Sequence, residues 1–296
     1  MSNKMSDCVE SNDIRLLKLR RAGMFSNVNE VVEQLRLARK YGYRFVIDWS
    51  NSAYRDFEYP GDPWSYYFQP CFDGIERKEL LLEQKLPVLP GGPEVACTRE
   101  NIITPRTHDG ICAPLLLPRD KLAANAIILE HIHLKEVVQK EIDAFEDAYF
   151  DKFVIGLHIR GPGRTHGGVP EMRKAFGSSD EVPFEPFFEA VERVISENQD
   201  AKILACSDSS VVIQAIKARF GNRVISWPAL RSEFGEMHAR HPRNLAEEFS
   251  GYRLGLDVVV EAYLLAKSSF LVHGNSNVTN FVLCVNPEIQ NTYIQA

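Results

Sequence analysis

Two arginines set among glycines carry the strongest chemical signal in the chain. The run His158-Ile159-Arg160-Gly161-Pro162-Gly163-Arg164-Thr165-His166-Gly167-Gly168 puts two cationic forks on a backbone that can approach an anion closely. Such a run fits a diphosphate cradle; an ordinary turn with solvated arginines is the alternative. It is not a P-loop, because no Gly-Lys-Ser/Thr follows, and it lacks the G-x-G-x-x-G spacing of a dinucleotide fold. A second run, His273-Gly274-Asn275-Ser276-Asn277, falls where a strand gives way to a helix, so helix-end N–H groups and the Ser276 hydroxyl would face the same crevice. A simple N-cap at Ser276 uses the same geometry. Ser207-Asp208-Ser209 follows a third apolar run. Asp257, near the start of an apolar helix, either complements the helix dipole or accepts two hydrogen bonds from the edge of a guanine.

These residues need a scaffold that brings strand ends together, and the apolar pattern supplies one. In the second half, strands are expected at Phe153–Ile159, Lys202–Cys206, Arg223–Ser226 and Phe270–Val272. Helices are expected between them at about Pro186–Glu197, Ser209–Phe220, Tyr252–Lys267 and Asn277–Leu283. Strand–helix alternation with continuously apolar strands means a parallel sheet covered on both faces, with ligands bound outside the carboxyl ends of the strands. In the first half, Ile14 to Leu19 reads as a strand, Ser26 as the cap of a helix carrying Val28, Val31, Val32, Leu35 and Ala38, and Arg44 to Trp49 as a buried strand. A single long helix is expected from Asp120 to Phe150. Between these lies a Pro/Gly-rich stretch from Leu86 to Arg119, with too many breakers for a long helix.

Composition narrows the partners. The 296 residues carry 34 Lys+Arg against 40 Asp+Glu, a formal charge of −6, and neither half has the basic excess that nucleic acid or an anionic membrane would need. A 45% hydrophobic and 25% charged composition is that of a globular protein large enough for two domains or one large one. The six cysteines contain no C-x-x-C pair, the first residues lack a signal-peptide core, and no run reaches the roughly 18 apolar residues of a membrane span. A cytoplasmic protein is the expectation.

The strand-end motifs, in order, carry a resemblance. Ile155-Gly156-Leu157-His158-Ile159-Arg160, Cys206-Ser207-Asp208-Ser209-Ser210, Leu256-Asp257-Val258-Val259-Val260-Glu261 and Gly274-Asn275-Ser276-Asn277-Val278 are similar to the successive motifs of the fucosyltransferase superfamily. The chain most resembles the α1,6-fucosyltransferase branch that includes the nodulation fucosyltransferases. Gly23-Met24-Phe25-Ser26-Asn27, Ile47-Asp48-Trp49-Ser50-Asn51 and Tyr66-Tyr67-Phe68-Gln69-Pro70 extend the likeness into the first half. The resemblance implies an α/β protein of the GT-B fold, with two Rossmann-like halves facing a cleft. Residues 1–150 would form the acceptor side, with contacts at Asp48 and Trp49, and residues 151–296 the donor side.

It further implies transfer of L-fucose from GDP-fucose to a glycan hydroxyl, with inversion and without a metal. Arg160 would contact the diphosphate and stabilise the leaving group. His158, Asp208, Asp257 and the Asn275-Ser276-Asn277 loop would help hold the nucleotide. The sequence departs from the family where Gly161-Pro162-Gly163 follows His-x-Arg, and Arg164 is placed to compensate.

An inverting displacement also needs a base for the acceptor hydroxyl, and Glu171, then His166, are the candidates. Other constellations read more plainly. His131 and His133, two apart on the expected helix, would point about 200° from one another and cannot share an ion. Arg231, His238, Arg240, His241 and Arg243 suggest a solvated loop, or one that closes over the donor or binds an acidic acceptor. Trp49, Trp64 and Tyr66-Tyr67-Phe68 either line a sugar cleft or pack in a core.

Overall fold

The computed structural model describes residues 13–75, 88–89, 118–160, 183–233 and 249–294. The chain opens with β1 (Ile14–Lys18), α1 (Met24–Tyr41) and β2 (Arg44–Asp48), the expected strand–helix–strand unit. With β3 (Val88–Leu89) they form a parallel sheet in the order β2-β1-β3. The helix starts three residues earlier than the Ser26 cap predicts, with Gly23 as its N-cap. The entry is fixed instead by Asn27, whose Oδ1 accepts from Arg20 N at 3.1 Å and whose Nδ2 donates to Arg20 O at 3.0 Å.

After the single-turn α2 (Trp64–Tyr67), the expected long helix proves to be two, α3 (Pro118–His131) and α4 (Glu136–Tyr149). Tertiary pairing overrides helical periodicity at the break. Leu134 bridges to Phe68, Gln69 N donates to His133 O at 2.8 Å, and Lys135 N donates to Tyr67 O at 2.8 Å.

The second sheet follows the predicted alternation. β4 (Val154–His158), α5 (Glu185–Glu197), β5 (Lys202–Cys206), α6 (Ser210–Phe220), β6 (Val224–Ile225), α7 (Gly251–Lys267), β7 (Phe270–His273), α8 (Asn277–Val285) and β8 (Gln290–Tyr293) build a parallel sheet ordered β6-β5-β4-β7-β8. The edge strand β8 escapes sequence reading because Gln290-Asn291-Thr292-Tyr293 has no apolar alternation; pairing with β7 makes it a strand. Side chains alternate between two cores. Ile155, Leu157, Ile203 and Ala205 pack with α5 and α6, whereas Val154, Leu204 and Cys206 pack with α7 and α8. Gly156 has no side chain because a Cβ there would lie 2.9 Å from Leu265 and Ser268, where α7 meets the sheet.

One of these cores extends into the first half of the chain. Phe25 of α1 and Phe281 of α8 have ring centroids 4.6 Å apart, and α3 and α4 pack on α8 and α7 respectively. Tyr67 donates its hydroxyl hydrogen to the carbonyls of Gly251 and Tyr252, which requires Gly255: a Cβ there would sit 2.2 Å from the Tyr67 oxygen. Asp56 accepts from the Ser250 hydroxyl and from Tyr252 N, holding the start of α7 from the other half. The loop after β2 and the start of α7 are thus fastened together.

Candidate functional site

Strand register gathers the predicted residues. His158 is level with Cys206 on one side and with His273 on the other, so β4, β5 and β7 end abreast. Their next residues project from one edge, between β4 and β7, where the strand order reverses. In a parallel sheet this reversal opens a crevice.

Arg160 stands there with its side chain 29% exposed and its Nε 3.8 Å from an Asp208 carboxylate oxygen. Asp208 sits on a turn whose backbone is clamped. Ser232 N donates to Asp208 O at 2.9 Å, Ser210 N donates to Ser232 O at 3.1 Å, and Ser209 N donates to the Ser207 hydroxyl at 3.1 Å. Across the crevice, Ser276 caps α8 by accepting from Val278 N at 3.1 Å, and Thr279 donates to the carbonyls of Gly274 and Ser276. Asn275 is exposed, and Asn277 is half-buried with its carbonyl accepting from Asn29 of α1 at 3.1 Å. A partly exposed guanidinium and a helix N-terminus thus share the same sheet edge. Such an arrangement can stabilise an anion through charge-assisted hydrogen bonds and the helix dipole.

His158 and His273, partners at the ends of β4 and β7, are buried. Burial, reinforced by the Arg160 charge, pushes His158 down to about 3, and burial also lowers His273. The Nδ1 of His158 has no hydrogen-bond partner among the described residues. The unfolded chain protonates His158 below about pH 6.5 and the folded chain not until about pH 3, so folding stability falls as pH drops through that window, by about 1.4 kcal/mol per unit from this residue. Urea denaturation at pH 7 and pH 5 is expected to show this loss, and His158→Gln to reduce it; an unchanged slope in the variant would assign the titration elsewhere.

Asp257 lies under this edge rather than in it. It is 1% exposed and belongs to the second turn of α7, beyond the first turn where a carboxylate complements the dipole. One oxygen accepts from Trp227 Nε1 and Arg253 Nε, both at 2.8 Å, and the other from Leu230 N at 2.8 Å. Burial raises its carboxyl, against those donors. These three donors already take up most of the carboxylate's accepting capacity.

One turn further along, Glu261 pairs with Arg231 at 2.6 Å, both side chains about nine-tenths buried. Arg231 belongs to the basic group expected in a solvated loop or in one that closes over the donor or binds an acidic acceptor. Instead it donates to Ser207 O and Trp227 O as well as to Glu261. Burial pushes Glu261 up to about 7, with Arg231 opposing it.

The expected acceptor residues divide. Asp48 is half-buried at the end of β2, accepting from Ser50 N at 3.1 Å. Trp49 has no exposed surface on which a sugar could stack: it packs against Tyr54 and donates its indole N–H to Arg20 O. Trp64, Tyr66, Tyr67 and Phe68 are likewise buried, so these aromatics pack the core. Arg164, His166 and Glu171 lie outside the described residues, as do His238, Arg240, His241 and Arg243. The histidine pair falls at the helix break, His131 facing Cys71 O and His133 facing Glu130 O. No metal-binding cluster of His, Cys, Asp or Glu occurs among the described residues.

No protein-family model matches the sequence, and no curated protein is significantly similar to it. Solved structures are similar along nearly its whole length. A NodZ α-1,6-fucosyltransferase soaked with GDP-fucose is 18% identical with a TM-score of 0.54, over 92% of this chain and 93% of that one. POFUT1 in complex with GDP is 11% identical with a TM-score of 0.52, over 97% and 99%. A variant of Arabidopsis thaliana FUT1 in complex with GDP is 10% identical with a TM-score of 0.52, over 96% and 70%. At these identities the likeness is one of fold, and it is the fold of the superfamily that the strand-end motifs resemble.

Proposed function

We propose that this chain is a glycosyltransferase that takes a sugar, L-fucose in the first instance, from a GDP donor to a hydroxyl of a glycan. The observation that carries the reading is Arg160, a partly exposed guanidinium at the β4 end, sharing the sheet edge with Asp208 and the Ser276-capped start of α8. The similarity to structures holding GDP or GDP-fucose supports the choice of donor. In the proposed reaction the acceptor oxygen bonds to the anomeric carbon from the face opposite the diphosphate. The bond from that carbon to the diphosphate oxygen breaks, and GDP leaves with the electron pair.

Arg160, Arg164 and the α8 N-terminus offset the growing charge without a metal, and Glu171, or His166, takes the acceptor proton. His158, Asn275 and Asn277 would hold the nucleotide. Asp257 would act on it through the Trp227–Leu230 segment that it anchors, and Asp48 would meet the acceptor. The GT-B division, residues 1–150 on the acceptor side and 151–296 on the donor side, is part of this reading, supported by one parallel sheet in each half. A cytoplasmic location is part of it too, supported by the buried free thiols of Cys71, Cys206 and Cys284; no described helix is long and apolar enough to cross a membrane.

The test is GDP release from GDP-fucose with and without an oligosaccharide panel, in EDTA, with the product's anomeric configuration read by NMR. Acceptor-stimulated release with an inverted product supports the proposal. Retention or strict dependence on added Mn²⁺ would overturn the mechanism, and binding without turnover would make the chain a nucleotide-binding protein of the same fold.

A further inference from the structure

Arg231 and Glu261 sit below the crevice, between α7 and the sheet, and neither belongs to the strand-end set. Buried ion pairs seldom add stability over apolar packing, because desolvation offsets the attraction, so a paired Arg and Glu buried in the core calls for another role. The partners of Arg231 suggest one. Its guanidinium donates from Nη1 to Ser207 O, the first residue after β5, and from Nη2 to Glu261 Oε1 at 2.6 Å and Trp227 O at 3.1 Å. The next residue, Ser232, exchanges backbone hydrogen bonds with Asp208 and Ser210. Ser207, Asp208 and Ser210 of the turn that carries Asp208 are therefore held by Arg231-Ser232, and Glu261 fixes Arg231 to α7. The same α7 face carries Asp257, which holds Trp227 and Leu230 in the segment leading into Arg231.

We propose that the Arg231–Glu261 pair positions the Ser207-Asp208-Ser209 turn, and through Asp208 the Arg160 guanidinium, so that both residues are positioning residues for the chemistry at the β4–β7 crevice. The assignment of that chemistry rests on the function proposed above; the clamping of the turn does not. A planar fork is needed, because the guanidinium reaches Ser207, Trp227 and Glu261 at once, which a lysine ammonium reproduces poorly.

Three variants test this: Arg231→Lys, Glu261→Gln, and the apolar pair Arg231→Met with Glu261→Leu, which removes both charges and leaves no buried ion behind. Amide hydrogen exchange of residues 207–210 is expected to speed up about tenfold or more in each, while exchange in α5 stays at the wild-type rate. With GDP-fucose, kcat is expected to fall about tenfold to a hundredfold with KM little changed, least in Glu261→Gln, which keeps an acceptor for Arg231. A folded apolar-pair variant with wild-type exchange at 207–210 would overturn the proposal. So would acceleration spread evenly over the sheet, which marks a merely structural pair. If the wild type does not turn over GDP-fucose while the turn still loosens in the variants, the positioning stands and the proposed reaction falls.

Discussion

Arg160→Ala is expected to lower turnover of the GDP donor by about 10²–10³-fold, a loss of about 3–4 kcal/mol of transition-state stabilisation. Among the described residues of the crevice, the Arg160 guanidinium is the charge best placed to meet a leaving diphosphate, and its side chain keeps 29% of its surface open. Charge grows on the departing oxygen during bond cleavage, so a preorganised cation contributes more to the transition state than to the bound ground state. The loss should therefore appear mainly in kcat, with GDP affinity falling by a smaller factor. Arg160→Lys is expected to recover part of the rate, because it keeps the charge but not the fork. Since the side chain spans no core, the melting temperature of Arg160→Ala should stay close to that of the wild type. Turnover at the wild-type rate in a folded Arg160→Ala protein would remove Arg160 from the chemistry.

Asp257→Ala is expected to cost about 3–5 kcal/mol of folding stability, read from urea or thermal denaturation. The buried Trp227 indole N–H and the Leu230 N–H would lose their acceptor, and Arg253 its carboxylate. Arg253 is itself partly exposed and recovers water, so the two N–H groups dominate the cost. Asp257→Asn keeps an acceptor oxygen and is expected to lose less. If Asp257→Ala denatured like the wild type yet no longer bound GDP, the carboxylate would be a base-reading group and the internal bonds dispensable.

Much of the scaffold is legible because burial on both faces leaves a continuous apolar signature. Lys202–Cys206 is a strand at the residues predicted, and the helices after β4, β5, β6 and β7 fall within a residue or two of the periodicity. The strand-end motifs are legible for the same reason: in a parallel sheet, the residue after each apolar run marks the edge. Contacts between distant segments are what the sequence hides. The break at Ile132–Lys135 depends on pairing with Tyr67–Gln69, and the burial of Trp49 depends on how Tyr54 and Arg20 close over it. Arg231 looks like surface until its partner thirty residues away is known. Glu261 did carry a signal: with Asp257 it forms an i, i+4 pair of acids among the apolar residues of α7, and such residues inside a core need partners.

Which nucleotide the β4–β7 crevice prefers decides most directly whether this chain uses a GDP donor. Thermal-shift titrations of GDP, UDP, ADP and dTDP, each in EDTA, measure that preference without an acceptor. A stabilisation by GDP that exceeds the other three, needs no metal and weakens in Arg160→Ala is the predicted result. A preference for UDP, an absolute need for Mn²⁺, or an equal shift with all four nucleotides would contradict it.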